Sequence, residues 1–144
     1  DNSKVSNNLY LQGNFENYKY FLEYKHDLVK MFTPKNELIE SSNPLINKIK
    51  NSNSISLHIR RNRFSDQREL KTDENIQKSN IFVENNVVND FNLFRYCKHF
   101  IVGPSSFHWW GAWLNNNPDK ICIRPSNINP SNNKNFWPDD WVSI

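Results

Sequence analysis

The stretch from Phe100 to Leu114 constrains the fold of this chain more than any other. Phe100-Ile101-Val102 is a short apolar run ended by Gly103-Pro104-Ser105-Ser106, and three tryptophans crowd the eight residues that follow. An apolar run closed by Gly-Pro reads as a strand and its turn. The segment Phe107–Leu114 reads as a very apolar helix that needs cover on most of its surface. Phe107, Trp110, Gly111 and Leu114 recur at i, i+3, i+4 and i+7, which is core spacing, and Gly111 with Ala112 allows close approach to a sheet.

The rest of the chain supplies that sheet. Ile55, Leu57 and Ile59 alternate with Ser56, His58 and Arg60, which predicts a strand with the aliphatic side buried. Ile81–Val83 and Lys120–Ile123 are further short strands, and Asp90–Tyr96 is a helix with Asn89 as its N-cap. Between them, residues 62–78 are polar and carry seven charged groups of mixed sign before Lys78, so most should face water. Upstream, apolar residues from Asn14 to Phe32 recur at three- and four-residue steps, a helix period interrupted near Lys25–Asp27 and stopped at Thr33-Pro34. Leu38–Lys50 is a second helical segment, residues 51–54 are a loop, and residues 1–8 are frayed. The tail is loop, with Trp137-Pro138-Asp139-Asp140-Trp141 closing against the body. Strand, helix, strand, turn, helix, strand is an α/β order, and the connections are long enough to cross over a parallel sheet. Residues 1–54 are expected to be a helical lead-in or linker segment and 55–144 the α/β domain.

Composition narrows the functional classes. With 144 residues and 37% hydrophobic content there is room for one core, not for two full domains. The formal net charge is +3, and the 25 asparagines carry little functional weight. Basic residues cluster only at Arg60, Arg61 and Arg63, a local anion site and not a stripe along a nucleic acid, so no nucleic-acid partner is expected. Cys97 and Cys122 lack CxxC spacing and read as buried small hydrophobes. No stretch of 18 apolar residues exists, and the opening Asp-Asn-Ser-Lys is not a leader. The dinucleotide G-x-G-x-x-G, the P-loop, H-E-x-x-H and the G-x-S-x-G elbow are all absent.

Two segments carry chemistry. In Ser56-Leu57-His58-Ile59-Arg60-Arg61, a strand would put His58 and Arg60 on its polar face and Arg61 at its carboxyl end. Ligands of open α/β sheets collect there, and the guanidinium fork grips phosphate. The plain alternative is an edge strand with its arginines in water. In Gly103–Leu114, a helix starting at Ser105 or Ser106 would offer free N–H groups and hydroxyls as a phosphate seat; each serine also serves as an ordinary N-cap. Trp109 and Trp113 read as space-filling, and proximity to a helix N-terminus favours a neutral His108. Asp66, Glu69, Glu84 and Asp90 are the candidate bases, and the residues alone do not choose among them.

H-I-R-R at 58–61 together with C-K-H-F-I-V-G-P-S-S-F-H-W-W-G-A-W-L-N-N-N-P-D-K-I at 97–121 resembles the alpha-1,2-fucosyltransferases, glycosyltransferase family 11. The family pattern is H-x-R-R-G-D-Y, with a second run close to C-x-H-x-I-x-x-x-S-x-F-S-W-W-x-A-W-L. L-Q-G-N-F-E-N-Y-K-Y-F at 11–21 is similar to the segment leading into the family's nucleotide-binding half. The resemblance implies the Rossmann-like, nucleotide-sugar-binding half of a GT-B glycosyltransferase, a parallel sheet flanked by helices. It implies an inverting enzyme that moves fucose from GDP-fucose to the 2-hydroxyl of a terminal galactose, on an oligosaccharide or lipid-linked glycan, with no cofactor and no metal. By position, His58, Arg60 and Arg61 would be the H-x-R-R residues, the arginines neutralising the departing diphosphate. Ser105 and Ser106, with Phe107 beside them, match the phosphate-side turn. Ser65-Asp66 is similar to a serine-aspartate pair after the next family strand, with Asp66 a weak candidate base, and Asp90 matches an acidic position before the cysteine-bearing helix.

The chain departs from the pattern after H-I-R-R, where Asn62, Arg63 and Phe64 replace Gly-Asp-Tyr and Phe64 runs straight into Ser65-Asp66. Either internal residues are missing near 64–65, the expectation here, or the copy is degenerate. A nucleotide-sugar-binding module without turnover and a transferase using another donor are the competing functions. Synthesis in the cytosol, with peripheral association at an inner membrane, is expected for a bacterial-type enzyme; a Golgi form stays open if an anchor precedes the chain.

Overall fold

A computed structural model describes residues 10, 12–33, 44–57, 87–129 and 132–144. Four short strands form one parallel sheet in the order β1 (Ile55–Leu57), β2 (His99–Ile101), β3 (Cys122–Arg124) and β4 (Val142–Ser143). Helix α1 (Lys25–Met31) and α2 (Pro44–Lys50) precede the sheet, α3 (Val87–Tyr96) leads into β2, and α4 (Ser106–Trp113) joins β2 to β3. The result is a small α/β domain whose parallel sheet is flanked by helices.

Local chemistry sets the ends of these elements. A 3-10 turn at Tyr18–Tyr20 begins where Asn17 Oδ1 accepts from the Lys19 N–H at 3.0 Å. The interruption predicted near Lys25–Asp27 therefore falls earlier, at 21–24, and α1 starts at Lys25. Thr33 Oγ1 donates to the Val29 carbonyl at 2.5 Å, helping to close α1. Pro44 opens α2, where its missing N–H costs nothing. Helix α3 begins at Val87, so Asn89 lies inside it and is not its cap. The predicted strand Ile81–Val83 lies outside the described residues, as do residues 62–78.

The core lies between the helices and one face of the sheet. Phe100, Val102 and Cys122 are buried there, together with Leu93 of α3, Ala112 and Trp113 of α4, and Val29, Ile46 and Ile49 from before residue 55. The phase of β1 is the reverse of the reading from hydropathy: Ser56 is 3% exposed, whereas Ile55 and Leu57 are 59% and 45% exposed. Ser56 is tolerated inside because its hydroxyl is hydrogen-bonded to Nε2 of the fully buried His108, at 2.8 Å. Leu57, Ile101 and Val142, which share one row of the register with Ile123, are exposed on the other face.

The tail is not simply loop. Val142–Ser143 pairs with β3, fixed by Ile144 N–H to Arg124 O at 3.0 Å and Ser126 N–H to Ile144 O at 2.7 Å. The expected closure of the aromatic segment is present. Trp137 and Trp141 are buried, with Trp141 5.8 Å from Trp109 centroid to centroid.

Candidate functional site

Helix α4 organises the candidate site. β2 ends at Ile101, beside Leu57 at the end of β1, and the chain turns through Val102–Ser105 into α4. Ser105 occupies the N-cap position with an extended backbone, and its carbonyl accepts the first helical bond, from Trp109 N–H at 2.9 Å. Its side chain makes no capping bond, so the serine hydroxyl is not spent on the helix. The first turn of α4 thus presents backbone N–H groups at the carboxyl end of the parallel sheet, a favourable place for an anion.

The buried face of α4 differs from the stripe read from spacing: Gly111 and Leu114 are buried, whereas Phe107 and Trp110 are only half-buried. His108, Trp109, Gly111, Ala112 and Trp113 are all buried, so α4 is enclosed on most sides. His108 faces Ser56 and Phe100 of the sheet. Gly111 packs against α3, not the sheet: a Cβ there would lie 3.3 Å from the Phe94 Cβ. Phe107 turns toward the same helix, its ring 5.3 Å from Phe91 and 5.7 Å from Phe94. Trp109 and Trp113 fill space as read, stacked at 5.8 Å and 13°.

A cavity of about 190 Å³ lies against the first turn of α4, lined by Ser106, Trp109, Trp110 and Phe136 and by residues Asn14–Tyr18 and Phe21. Its far wall is the segment 14–21, held by the C-terminal segment. Tyr18 Oη donates to Asp139 Oδ2 at 2.6 Å, Tyr18 N–H to Asn135 O at 3.2 Å, and Asn133 Nδ2 to Glu16 O at 2.9 Å. Trp109 Nε1 donates to the Phe136 carbonyl at 3.0 Å, tying the same segment to α4. The hydrogen bond to Asp139, with burial and the negative charge there, raises the Tyr18 pKa above its ordinary value and keeps the donor protonated.

A larger cavity, about 250 Å³, lies at the other end of α4 between Thr33, Arg95, Leu114 and Asn115. Its cation is already engaged: Arg95 donates to the Phe32 carbonyl and to Thr33 Oγ1, joining α1 to α3. The carbonyls at that end of α4 are already held by the Lys120 ammonium, and the smaller cavity, at the N–H end of the helix, is the better placed for an anion.

Of the residues singled out in the sequence, Ser106 lines the cavity, Ser105 adjoins it, and Phe107 packs against α3. Asp90 sits in the first turn of α3 and is not part of the cavity lining. His58, Arg60, Arg61 and Asp66 lie outside the described residues. Sequence reasoning missed Phe15, Glu16, Tyr18 and Phe136 as walls of one cavity. The signals for them were the 11–21 similarity and the aromatic tail. Both cysteine thiols are pushed up by burial to about 11, which argues against a thiolate nucleophile. Among the described residues no cluster of three or more His, Cys, Asp or Glu could hold a metal.

The fold and this site define a small α/β domain with an anion-compatible helix terminus at its sheet end. Residues 66–144, just over half of the chain, match the family described as glycosyl transferase family 11, and the chain belongs to that family. It is 28% identical over 189 residues to an alpha-1,2-colitosyltransferase of Escherichia coli, covering 99% of this chain and 65% of that protein. It is 32% identical over 87 residues to the O-antigen biosynthesis glycosyltransferase WbnK of Escherichia coli, covering 56% of this chain and 29% of that protein. The chain therefore spans less than two thirds of either relative. No solved structure matches it.

Proposed function

We propose that this chain is the donor-binding part of an inverting glycosyltransferase that moves fucose from GDP-fucose to the 2-hydroxyl of a terminal galactose. The observation that carries the reading is the placement of Ser105 and Ser106 at the start of α4, at the carboxyl end of the sheet and beside a cavity. In sequence, H-I-R-R follows directly from Leu57, the last residue of the neighbouring strand.

The chemistry asks for stabilisation of charge on the departing GDP. Fixed N–H donors of α4, with Arg60 and Arg61, would neutralise the diphosphate as the bond to the anomeric carbon breaks. The acceptor hydroxyl attacks the opposite face, and a carboxylate takes its proton. Asp66 is the in-chain candidate base, Asp90 is a candidate donor contact, and His58 belongs to the same cluster. Residues 55–144 would form the donor-binding unit and 1–54 its lead-in.

We infer that internal residues are missing near 64–65, a reading that two observations support. The family match starts at residue 66, and the alignment to the colitosyltransferase spans 189 residues, 45 more than this chain contains. A second reading follows from that relative's name, in which the transferred group is a colitosyl and not a fucosyl residue. Acceptors would be galactose-terminated or lipid-linked glycans reached peripherally from the cytoplasmic face of a membrane. No helix among the described residues is long and apolar enough to cross one.

Calorimetric titration with GDP, GDP-fucose and GDP-mannose tests the reading. The expected result is saturable binding of GDP, tighter binding of GDP-fucose than of GDP-mannose, and a loss of about tenfold or more in Arg61→Ala. A folded chain that binds none of the three would refute donor binding. Binding without turnover over a panel of galactosides would instead favour a non-catalytic module.

A further inference from the structure

The cavity beside α4 has features that a phosphate seat does not use. At about 190 Å³ it is smaller than the roughly 300 Å³ at which pockets begin to hold drug-sized ligands. That volume matches a single ring and not a whole nucleoside diphosphate sugar, whose remainder would lie outside the cavity. Phe15, Phe21 and Trp110 form apolar walls, and Asn14, Glu16 and Ser106 add an amide, a carboxylate and a hydroxyl to the same lining.

The aromatic walls are held in place. Trp110 stands edge-on to Trp109 and Trp113, with centroids 5.1 and 5.5 Å away, and Phe21 packs on it at 5.4 Å. Phe15 has φ of 45°, in the left-handed region, yet it is a bulky residue and 41% exposed. That conformation is strained for a bulky side chain. Gly13 packs against its ring, whose nearest carbons lie 3.6 Å from where a Cβ would stand.

Flat aromatic faces with hydroxyl-seeking groups at the margin suit a ligand with an apolar C–H face and a rim of hydroxyls. The C–H hydrogens meet the negative face of the ring, while Glu16 and Asn14 can accept from hydroxyl groups. We propose that this cavity is a pyranose subsite. Its adjacency to Ser106 decides between sugar and base: in a nucleotide sugar the pyranose is bonded directly to the terminal phosphate, whereas the base is separated from it by a ribose and a second phosphate. That step rests on the donor reading above. The ring comes either from the donor or from the terminal sugar of the acceptor, and both sources share this chemistry.

Saturation-transfer NMR on the full chain tests it, with GDP, GDP-fucose and methyl β-galactopyranoside as probes. Phe15→Ser and Trp110→Ala are compared with the parent, with folding checked by circular dichroism. The expected result is saturation of the ring protons of one pyranose, with its affinity about threefold to tenfold weaker in both variants and GDP affinity unchanged. Saturation of the fucosyl protons assigns the donor ring, and saturation of the galactoside assigns the acceptor. If GDP binds all three proteins equally and neither pyranose is saturated, with GDP present or absent, the subsite is overturned while the donor reading stands. If the parent binds no GDP, the donor reading fails, and the galactoside decides: saturation supports the subsite and its absence overturns it. Should Trp110→Ala not fold, Phe15→Ser at its exposed position decides the matter alone.

Discussion

Lys120 offers a test of how the far end of α4 is secured. Its Nζ donates to the carbonyls of Ala112 and Asn115, each at 2.8 Å, and reaches that of Trp113 at 3.5 Å. These groups have no partners within the helix, so the ammonium acts as a cap. Burial, with Lys25 nearby, pushes the pKa of Lys120 from 10.5 down to about 8. In the unfolded chain the ordinary value returns. Between pH 8 and 10.5 the unfolded state therefore holds a proton that the folded state has released, and stability rises with pH. The slope is at most about 1.4 kcal/mol per pH unit, and between pH 7 and 9 the gain integrates to about 1.3 kcal/mol. Lys120→Met keeps the length of the side chain and removes the titration. At pH 7 it should lie within about 1 kcal/mol of the parent, since relief of a buried cation offsets the lost hydrogen bonds. Urea unfolding followed by tryptophan fluorescence at pH 7, 8 and 9 gives the difference curve. The parent should gain about 1 kcal/mol over Lys120→Met across that range. A flat or falling difference would refute the reasoning, because it would mean that the three carbonyls hold the ammonium more strongly than burial disfavours it.

Other perturbations have equally definite outcomes. Gly111→Val should destabilise by about 2 kcal/mol or more in urea titration, because any Cβ at this position would already stand 3.3 Å from the Phe94 Cβ and the α3–α4 contact must open. Tyr18→Phe and Asp139→Ala should each cost about 1 kcal/mol, and the double variant little more than either, since both remove the same 2.6 Å bond; full additivity in a double-mutant cycle would count against it. Cys97 and Cys122, both buried with thiols near 11, should resist a disulfide reagent at pH 8 in the native state and react at once in urea. Rapid native labelling of either would show that its surroundings open readily.

Much of the fold is legible where a pattern is local. The run Phe100–Leu114 predicts strand, turn and buried helix, and β2, the Ser105 cap position and α4 stand there within a residue or two. What fails is phase. A three-residue strand contains too little alternation to say which side is inside, and at β1 the hydropathic choice buries Ile55 and Leu57. The structure buries Ser56, because His108 from α4 supplies the partner that makes an interior hydroxyl acceptable. Strand β4 fails for a related reason. Two residues have no period, and Val142–Ser143 is a strand only because β3 lies beside it.

The candidate site divides along the same line. The serine turn is visible because its elements are adjacent in sequence. The cavity is not visible in any local pattern: its walls come from Asn14–Phe21, from the first turns of α4 and from Phe136. Tyr18 and Asp139, 121 positions apart, make the bond that joins the first wall to the segment carrying the last. Periodicity reports what one element buries and says nothing about which distant loop it meets. The aromatic tail was a sign of closure, but not of what it closes upon. In the structure it seats the segment 14–21 against Trp109 and Trp110 while β4 anchors its own end to the sheet. The C-terminal residues thereby connect the edge of the sheet to the wall of the cavity. A change at Asp139 should be felt at Phe15 before it is felt at Ser105, because the backbone bonds that position Ser105 run to Gly103 and Trp109 and not to the C-terminal segment.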